Sequence, residues 1–388
     1  MQKSFFIIAG ETSGDLHGAG LVRAIKARLP HAVIAGIGGP RMVDAGLKAI
    51  FPISRLAVVG LVEIIAQLGP ILSAFYKTRA YLKKNRPDIL ILIDYPEFNL
   101  LVAKYAKGLG IPVFYYISPQ VWAWRQGRVK RLKRVVDEMA VILPFEEDFF
   151  SKHGLKTHFV GHPLLDSVRA GSSRDEFCRL HSLSSNSPVV GLLPGSRHGE
   201  IQRLFPIMAG AARLISLSMP HVQFVAAVAP SIDIRFMQDM LKGSTNGDDL
   251  NIRFIQGGTY EAIAASSLVI AASGTVTLEA AILGTPLIVT YKVSPLSYYV
   301  GRYLIKVPYA SLVNLIAGRM TAPEFLQNDA TPEAIAEEAL AILRDDARRE
   351  EMIQDLALVT GQLGRPGAAE RAADLALGLL ERSSQASS

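Results

Sequence analysis

The 388-residue chain has one cysteine, Cys178, which excludes an internal disulfide framework and any cysteine-rich metal site and fits a reducing compartment. It has no Asp-x-Asp motif, so a metal-bridged diphosphate is not expected and the charge of an anionic ligand falls to basic side chains and helix dipoles. Neither half carries a G-x-G-x-x-G fingerprint followed by an acid about 20 residues on, which disfavours a nicotinamide oxidoreductase. No repeat of about 20–50 residues marks a solenoid. Charged residues make up only 20 % and hydrophobic ones 49 %, so the chain is globular, and only the tail SSQASS reads as loose.

Two strand-to-glycine-loop units stand about half a chain apart, FFIIAGETSGDLHG at 5–18 and VVGLLPGSRHGEI at 189–201. One such loop is weak evidence, because Gly-rich turns also serve close packing. Two of them imply two α/β halves with a crevice between, suited to joining a nucleotide-linked donor to a separate acceptor. Apolar runs bounded by Gly, Asp, Ser or Pro alternate with helical patterns: FFIIAG, ILILID, VFYYIS, MAVILP and HFVG, then VVGLLPG, FVAAVAP, IRFIQGG, LVIAASG and PLIVTYK. That alternation predicts parallel, doubly wound sheets. The expected domains are 1–170 and 185–360, with a linker within 166–188 and a last segment at 361–388. TPEAIAEEALAIL, with Thr331 as N-cap and Pro332 at the first turn, opens a helical C-terminal part in which two further helices are separated by GQLGRPG. Five apolar residues before Gly10 are too few for a secretory signal and read as a first strand, making a cytoplasmic location the expectation.

The formal net charge is +6, and the excess is concentrated in the first half: Lys77, Arg79, Lys83, Lys84 and Arg86 occur without an acid, as do six cations in 125–134. The first cluster follows LAVVGLVEIIAQLGPILSAFY at 56–76. Glu63, Gln67 and the helix-breaking Pro70 argue against a membrane span. The segment reads either as a core helix or as a helix pair in the headgroup plane, and the five flanking cations favour the second. Val59, Leu61, Leu68, Leu72 and Phe75 are then the candidate lipid or acyl-chain contacts. A basic segment with aromatics also suits nucleic acid, but no readout motif accompanies it.

In the second half, AASGTVTLEAAILGTP at 271–286 places Ser273, Gly274 and Thr275 where a strand meets a helix. Free N–H groups there can hold a diphosphate, while Glu279, one turn on, can accept both ribose hydroxyls. Helix capping alone would also explain Ser273 and Thr275. Gly195, Ser196 and Arg197 end another strand, and Arg197 suits a pyrophosphate leaving group. In the first half, Gly14 and its neighbouring glycines would let the backbone approach a sugar or phosphate; Glu11 and Asp15 are spaced to share a face, with His17 beside them. Asp94 ends the strand ILILID and is the first choice for a general base, with Glu11 or Asp15 as the alternatives. Trp122 and Trp124, in SPQVWAWR, either form a stacking wall for a sugar or pack a loop corner, and Arg125 opens a run of cations able to receive a phosphate.

On GETSGDLHGA, IDYPEFN, YYISPQVWAWR, LPFEEDFF, GHPLLD, LLPGSRHGEI, ASGTVTLEAAILGTP and NLIAGRMTAPEFLQ, in that order from residue 10 to 327, the chain resembles the lipid-A-disaccharide synthases. The resemblance implies a GT-B fold, with two facing Rossmann-like halves and a C-terminal helix packing back on the first. It implies transfer of 2,3-diacylglucosamine from its UDP carrier to 2,3-diacylglucosamine 1-phosphate (lipid X), inverting, without metal or cofactor, by a peripheral protein on the inner face of the inner membrane. A homodimer is implied at the level of the family. By motif, Asp94 matches the family's proposed base; Arg197, Ser273, Gly274, Thr275 and Glu279 match its nucleotide positions; Asn314, Arg319 and Gln327 match a further polar run near the nucleotide. Val313 departs from the proline common in the family, which bears on the local loop shape. The nearest rival reading is a UDP-N-acetylglucosamine 2-epimerase-like enzyme, which shares the two-half fold and needs no lipid-facing segment.

Overall fold

In the computed structural model, residues 2–53, 61–124, 126–244, 250–294 and 307–386 are described. The chain divides into two units: Met1–Asp166 with Leu363–Ser388, and Ser167–Gln362.

The first unit contains β1 (Ser4–Ala9), α1 (Thr12–Arg28), β2 (Val33–Gly38), α2 (Pro40–Asp44), β3 (Lys48–Pro52), α3 (Leu61–Asn85), β4 (Ile89–Ile93), α4 (Pro96–Gly108), β5 (Val113–Tyr116), α5 (Val121–Trp124), α6 (Val129–Val135), β6 (Glu138–Val141), α7 (Pro144–Lys152) and β7 (Thr157–Phe159). Its seven strands are all parallel in the order β3-β2-β1-β4-β5-β6-β7. β4 is buried along its whole length, as a strand covered by helices on both faces must be. The chain leaves this unit through α8 (Leu164–Ser167).

The second unit contains α9 (Arg174–Leu180), β8 (Val189–Leu193), α10 (His198–Ser218), β9 (Gln223–Val228), α11 (Ile234–Ser244), β10 (Ile252–Gln256), α12 (Thr259–Ala265), β11 (Leu268–Ala272), α13 (Val276–Ile282), β12 (Leu287–Tyr291), α14 (Leu312–Ala317), β13 (Glu324–Leu326), α15 (Pro332–Arg344) and α16 (Asp346–Gln362). Its parallel order is β10-β9-β8-β11-β12-β13. The strand order therefore reverses beside the first strand of each sheet, between β1 and β4 and between β8 and β11. Open α/β sheets bind ligands at the carboxyl ends of the strands flanking such a point.

α17 (Ala368–Ala386) returns to the first unit, where Ala372, Ala373, Ala376 and Leu380 share a core with Phe5, Ile7 and Leu21. Gly20 of α1 allows the approach, since a Cβ there would lie 3.3 Å from the Cβ of Ala369. Truncating Leu380 to Ala in this core would cost about 2–5 kcal/mol.

Thr331 caps α15 as expected, accepting from the N–H of Ala334 at 3.2 Å. The boundary between the two units falls between Asp166 and Ser167, at the start of the segment 166–188, and that segment is itself folded: Arg174 donates to the carbonyls of Ala265 and Ser187, and Phe177 and Cys178 are buried. Three expectations need correction. Pro70 does not end a helix but sits inside α3. The first four residues of the tail, Ser383–Ala386, continue α17. Finally, β2, β3 and β13 were absent from the expected strand series. Among the described residues no helix is long and apolar enough to cross a membrane.

Candidate active site

β1 and β4 are hydrogen-bonded neighbours, so the turns that follow them meet at the first reversal point. Gly10 closes β1 because the ring of Tyr95 occupies the space of a side chain there, with a Cβ falling 2.1 Å from Cγ of Tyr95. After β4, Asp94 and Tyr95 both take left-handed conformations, with φ of 46° and 47°, and Ile117 after β5 has φ 63°. None is a glycine, and each such residue costs roughly 1–3 kcal/mol. The kinked ends are tied together: the N–H of Asp94 donates to the carbonyl of Ile117 at 3.2 Å, and that of Ile117 to Ala140 at 3.0 Å. The Asp94 carbonyl accepts from Asn99 Nδ2 at 2.6 Å and from the Tyr115 hydroxyl at 2.5 Å.

Asp94 lines a cavity of about 290 Å³ together with Pro96, Ser118, Gln120, Arg128 and Glu146. Burial, followed by the nearby charge of Glu11, pushes its pKa up to about 6, against the downward pull of the Tyr95 N–H. It is thus mostly ionised at neutral pH yet close enough in pKa to accept a proton effectively. Arg128 is paired with Glu97. The buried Glu146 carboxylate is raised by burial and held by Ser118 Oγ at 2.6 Å, Trp122 Nε1 at 2.9 Å and the N–H groups of Leu143 and Ile142.

At the second reversal point Gly195 has φ 107°, and a Cβ there would lie 2.7 Å from Oε2 of Glu200. Ser196 and Arg197 are exposed; Arg197 lies 3.6 Å from Glu200, a solvent-screened pair. Across from them, Ser273 Oγ donates to the carbonyl of Ala310 at 2.8 Å. Gly274 faces open space, and exposed Thr275 precedes α13 without capping it. Glu279 is half-buried, and burial pushes its pKa up to about 7. The two reversal points therefore present different chemistry: a half-buried carboxylate in a strained turn in one unit, and glycine turns with an exposed guanidinium and a half-buried carboxylate in the other.

The lipid-A-disaccharide synthetase family model matches residues 5–377. The chain belongs to the lipid-A-disaccharide synthase family. It is 49 % identical over 381 residues to the lipid-A-disaccharide synthase of Syntrophus aciditrophicus, covering 98 % of this chain and 99 % of that one. The synthase of Nitrosococcus oceani is 48 % identical over 97 % of this chain and 96 % of its own. Among solved structures, a putative UDP-N-acetylglucosamine 2-epimerase from Listeria monocytogenes superposes with TM-score 0.65 at 14 % identity, covering 99 % of this chain and 97 % of that one. MurG of Acinetobacter baumannii superposes with TM-score 0.58 at 15 % identity, covering 97 % of this chain and 99 % of that one. The fold is that of the GT-B glycosyltransferases and epimerases, and membership of the family makes the chain a glycosyltransferase of lipid A disaccharide synthesis.

Within that family fold, several residues expected to touch ligand are occupied otherwise. Asp15, 4 % exposed, accepts from the N–H groups of Gly39 at 2.8 Å, Met42 at 3.1 Å and Arg41 at 3.2 Å, so its carboxylate caps α2, while its own N–H donates to the Glu11 carbonyl one helical turn earlier at 2.9 Å. Gly14 packs α1 onto β1, where a Cβ would meet that of Ala9 at 3.3 Å. His17 is kept neutral by burial, which lowers its pKa to about 4; burial and His17 together lower that of His162 to about 3. Trp122 is buried, its ring edge-on to Phe145 at 4.8 Å, and braces the cavity wall through Glu146 instead of offering a face to a sugar.

Asn314 is fully buried and spends all its polar capacity on the protein, donating to the Ala322 carbonyl and Glu324 and accepting from the N–H groups of Thr321 and Ala322. Arg319 is exposed and paired with Asp355; Gln327 has φ 55° and donates its N–H to the carbonyl of Tyr291 at 2.9 Å. Phe75 is turned onto the core edge-on to Phe98 at 6.3 Å, whereas Leu72 is 50 % exposed. Val59 and Arg125, and the side chains of Leu61, Leu68 and Trp124, lie outside the described residues.

The sequence reading missed Tyr115, Asn99 and Glu324 as organising residues. Glu324 receives the N–H groups of Ala310 and Ser311 as well as Asn314, fixing the loop that in turn receives Ser273. For Tyr115 and Asn99 the available signal was a polar atom inside a run otherwise built to be buried; Glu324 stands in a half-buried run and had none.

Proposed function

We propose that this chain transfers 2,3-diacylglucosamine from UDP-2,3-diacylglucosamine to 2,3-diacylglucosamine 1-phosphate, forming a β-1,6-linked disaccharide 1-phosphate and UDP with inversion. The observation that carries the reading is Asp94: a carboxylate at a strand-order reversal, held in a strained turn, lining a cavity and raised to about 6. Asp94 takes the proton of the acceptor 6-hydroxyl as the oxygen bonds to the donor's anomeric carbon. The bond from that carbon to the phosphate oxygen breaks on the opposite face, and UDP leaves with the electron pair. Arg197 and the N–H groups after Gly274 meet the charge that builds there, and the Glu279 carboxyl accepts from the ribose hydroxyls. In this reading basic groups and helix N–H groups carry the charge of the diphosphate, the sequence having no Asp-x-Asp motif to bridge it to a metal.

The substrates are nearly insoluble, and α3 offers an amphipathic surface for them or for the membrane that carries them. Leu72 and Tyr76 (62 % exposed) lie beside exposed Lys77, Lys83, Lys84 and Arg86. The protein is accordingly peripheral on the inner face of the inner membrane. The test is incubation with radiolabelled UDP-2,3-diacylglucosamine, with and without acceptor. Disaccharide and UDP formed only when both are present support the reading; label that changes without acceptor, as an epimerase would give, contradicts it.

A further inference from the structure

We propose that Tyr115 and Asn99 are positioning residues for Asp94, gripping its main-chain carbonyl so that the turn after β4 stays left-handed and presents the carboxylate to the cavity. The inference rests on the reading of Asp94 as the base.

Aspartate enters the left-handed region more readily than most residues, but the residue after it does not. Asp and Tyr stand consecutively at φ 46° and 47°, and tyrosine has no side-chain means of offsetting a left-handed conformation. The conformation is imposed from three sides. From α4, Asn99, fully buried, donates to the last two carbonyls before the turn, that of Ile93 at 3.3 Å and that of Asp94 at 2.6 Å. From β5, the buried Tyr115 hydroxyl donates to the same Asp94 oxygen at 2.5 Å. From β1, Gly10 leaves room for the Tyr95 ring, which rests against Phe98 with centroids 5.7 Å apart. Two neutral donors converging on one carbonyl hold a backbone in place and do nothing for a ligand directly. Their effect on the reaction passes through the aim of Asp94, where a displacement of about 1 Å is enough to cost turnover.

The groups facing the Asp94 carboxylate are Glu11 from the turn after β1, Tyr95 beside it, Tyr115 from β5, and Arg128 and Glu146 along the same cavity. Replacing Tyr115 by Phe changes none of the charges among them, so a shifted pH profile reports the position of Asp94.

The test uses the full-length chain carrying Tyr115→Phe, and separately Asn99→Ser, should Phe at 115 fail to fold. Expected are a kcat lowered about 10- to 100-fold, unchanged KM for both substrates, unchanged UDP binding, and an acid limb of kcat/KM moved to lower pH as the freed carboxylate gains water. The double variant should be no worse than the more severe single one, because both act on one carbonyl. Wild-type kcat and an unmoved acid limb in a folded variant would overturn the inference, even with a lowered Tm. If Asp94→Asn also kept wild-type turnover, the base assignment itself would fall; if Asp94→Asn were inactive, only the clamp would.

Discussion

The two sheets share one strand order through six strands, yet their reversal points are built in opposite ways. Beside β1 the turns are closed and strained: three non-glycine residues are left-handed, and ring, amide and hydroxyl groups converge on one aspartate. Beside β8 they are looser: a Cβ on Gly274 would meet nothing within 4 Å, Arg197 is exposed with a screened partner in Glu200, and Glu279 is half-buried. The contrast fits the division of work proposed above. A base must be aimed and its pKa set, which needs rigid surroundings, whereas a nucleotide supplies much of its own shape and needs free N–H groups and a cation.

The strongest way to break the comparison is Asp94→Asn. It should lower kcat about 10²- to 10⁴-fold, measured as disaccharide formed, while the second unit keeps its ligand. Arg197→Ala comes next, with a loss of about 10²-fold in kcat and weaker UDP binding, because it removes charge from the leaving group. Glu279 sharpens the comparison through pH. Its folded pKa of about 7 lies above the ordinary value of 4.5, so its favourable contribution is present at low pH and lost as pH rises from about 4.5 through 7. Glu279→Gln should therefore raise the Tm of the unliganded protein at pH 8 by about 2–4 °C, with no gain at pH 4. A gain that grew toward low pH would contradict the burial argument. The smallest effect concerns the outer face of α3. Leu72→Ser with Tyr76→Ser should reduce sedimentation with anionic vesicles at low salt, leaving Tm within about 1 °C because both side chains are already exposed.

The expected pair of doubly wound sheets is present because buried parallel strands are nearly the only short runs that are apolar throughout. β2 escaped because its run contains Gly36 and Gly38; a Cβ at Gly36 would lie 1.8 Å from the carbonyl oxygen of Ile7, so the glycine that hides the strand is what lets it pair there. β13 is three half-buried residues long and has no periodicity to show. In the site, Asp94 was legible as an acid at a strand end. Asp15 was not legible as a cap, because its donors lie 24 to 27 residues away, across the whole of β2. Trp122 and Asn314 have the residue types of ligand contacts, and only their burial and saturated hydrogen bonds show them to be braces. Tyr115 reaches Asp94 only once β5 is known to lie beside β4.

The central claim, that the first unit supplies the base and the second holds the nucleotide, is tested most directly by calorimetric titration of UDP into the wild-type protein, Asp94→Asn and Glu279→Gln at pH 8. The account predicts wild-type affinity for Asp94→Asn and an affinity weakened about tenfold for Glu279→Gln, the loss of a charged acceptor to a hydroxyl. Weakened UDP binding in Asp94→Asn, or full affinity in Glu279→Gln, would contradict it.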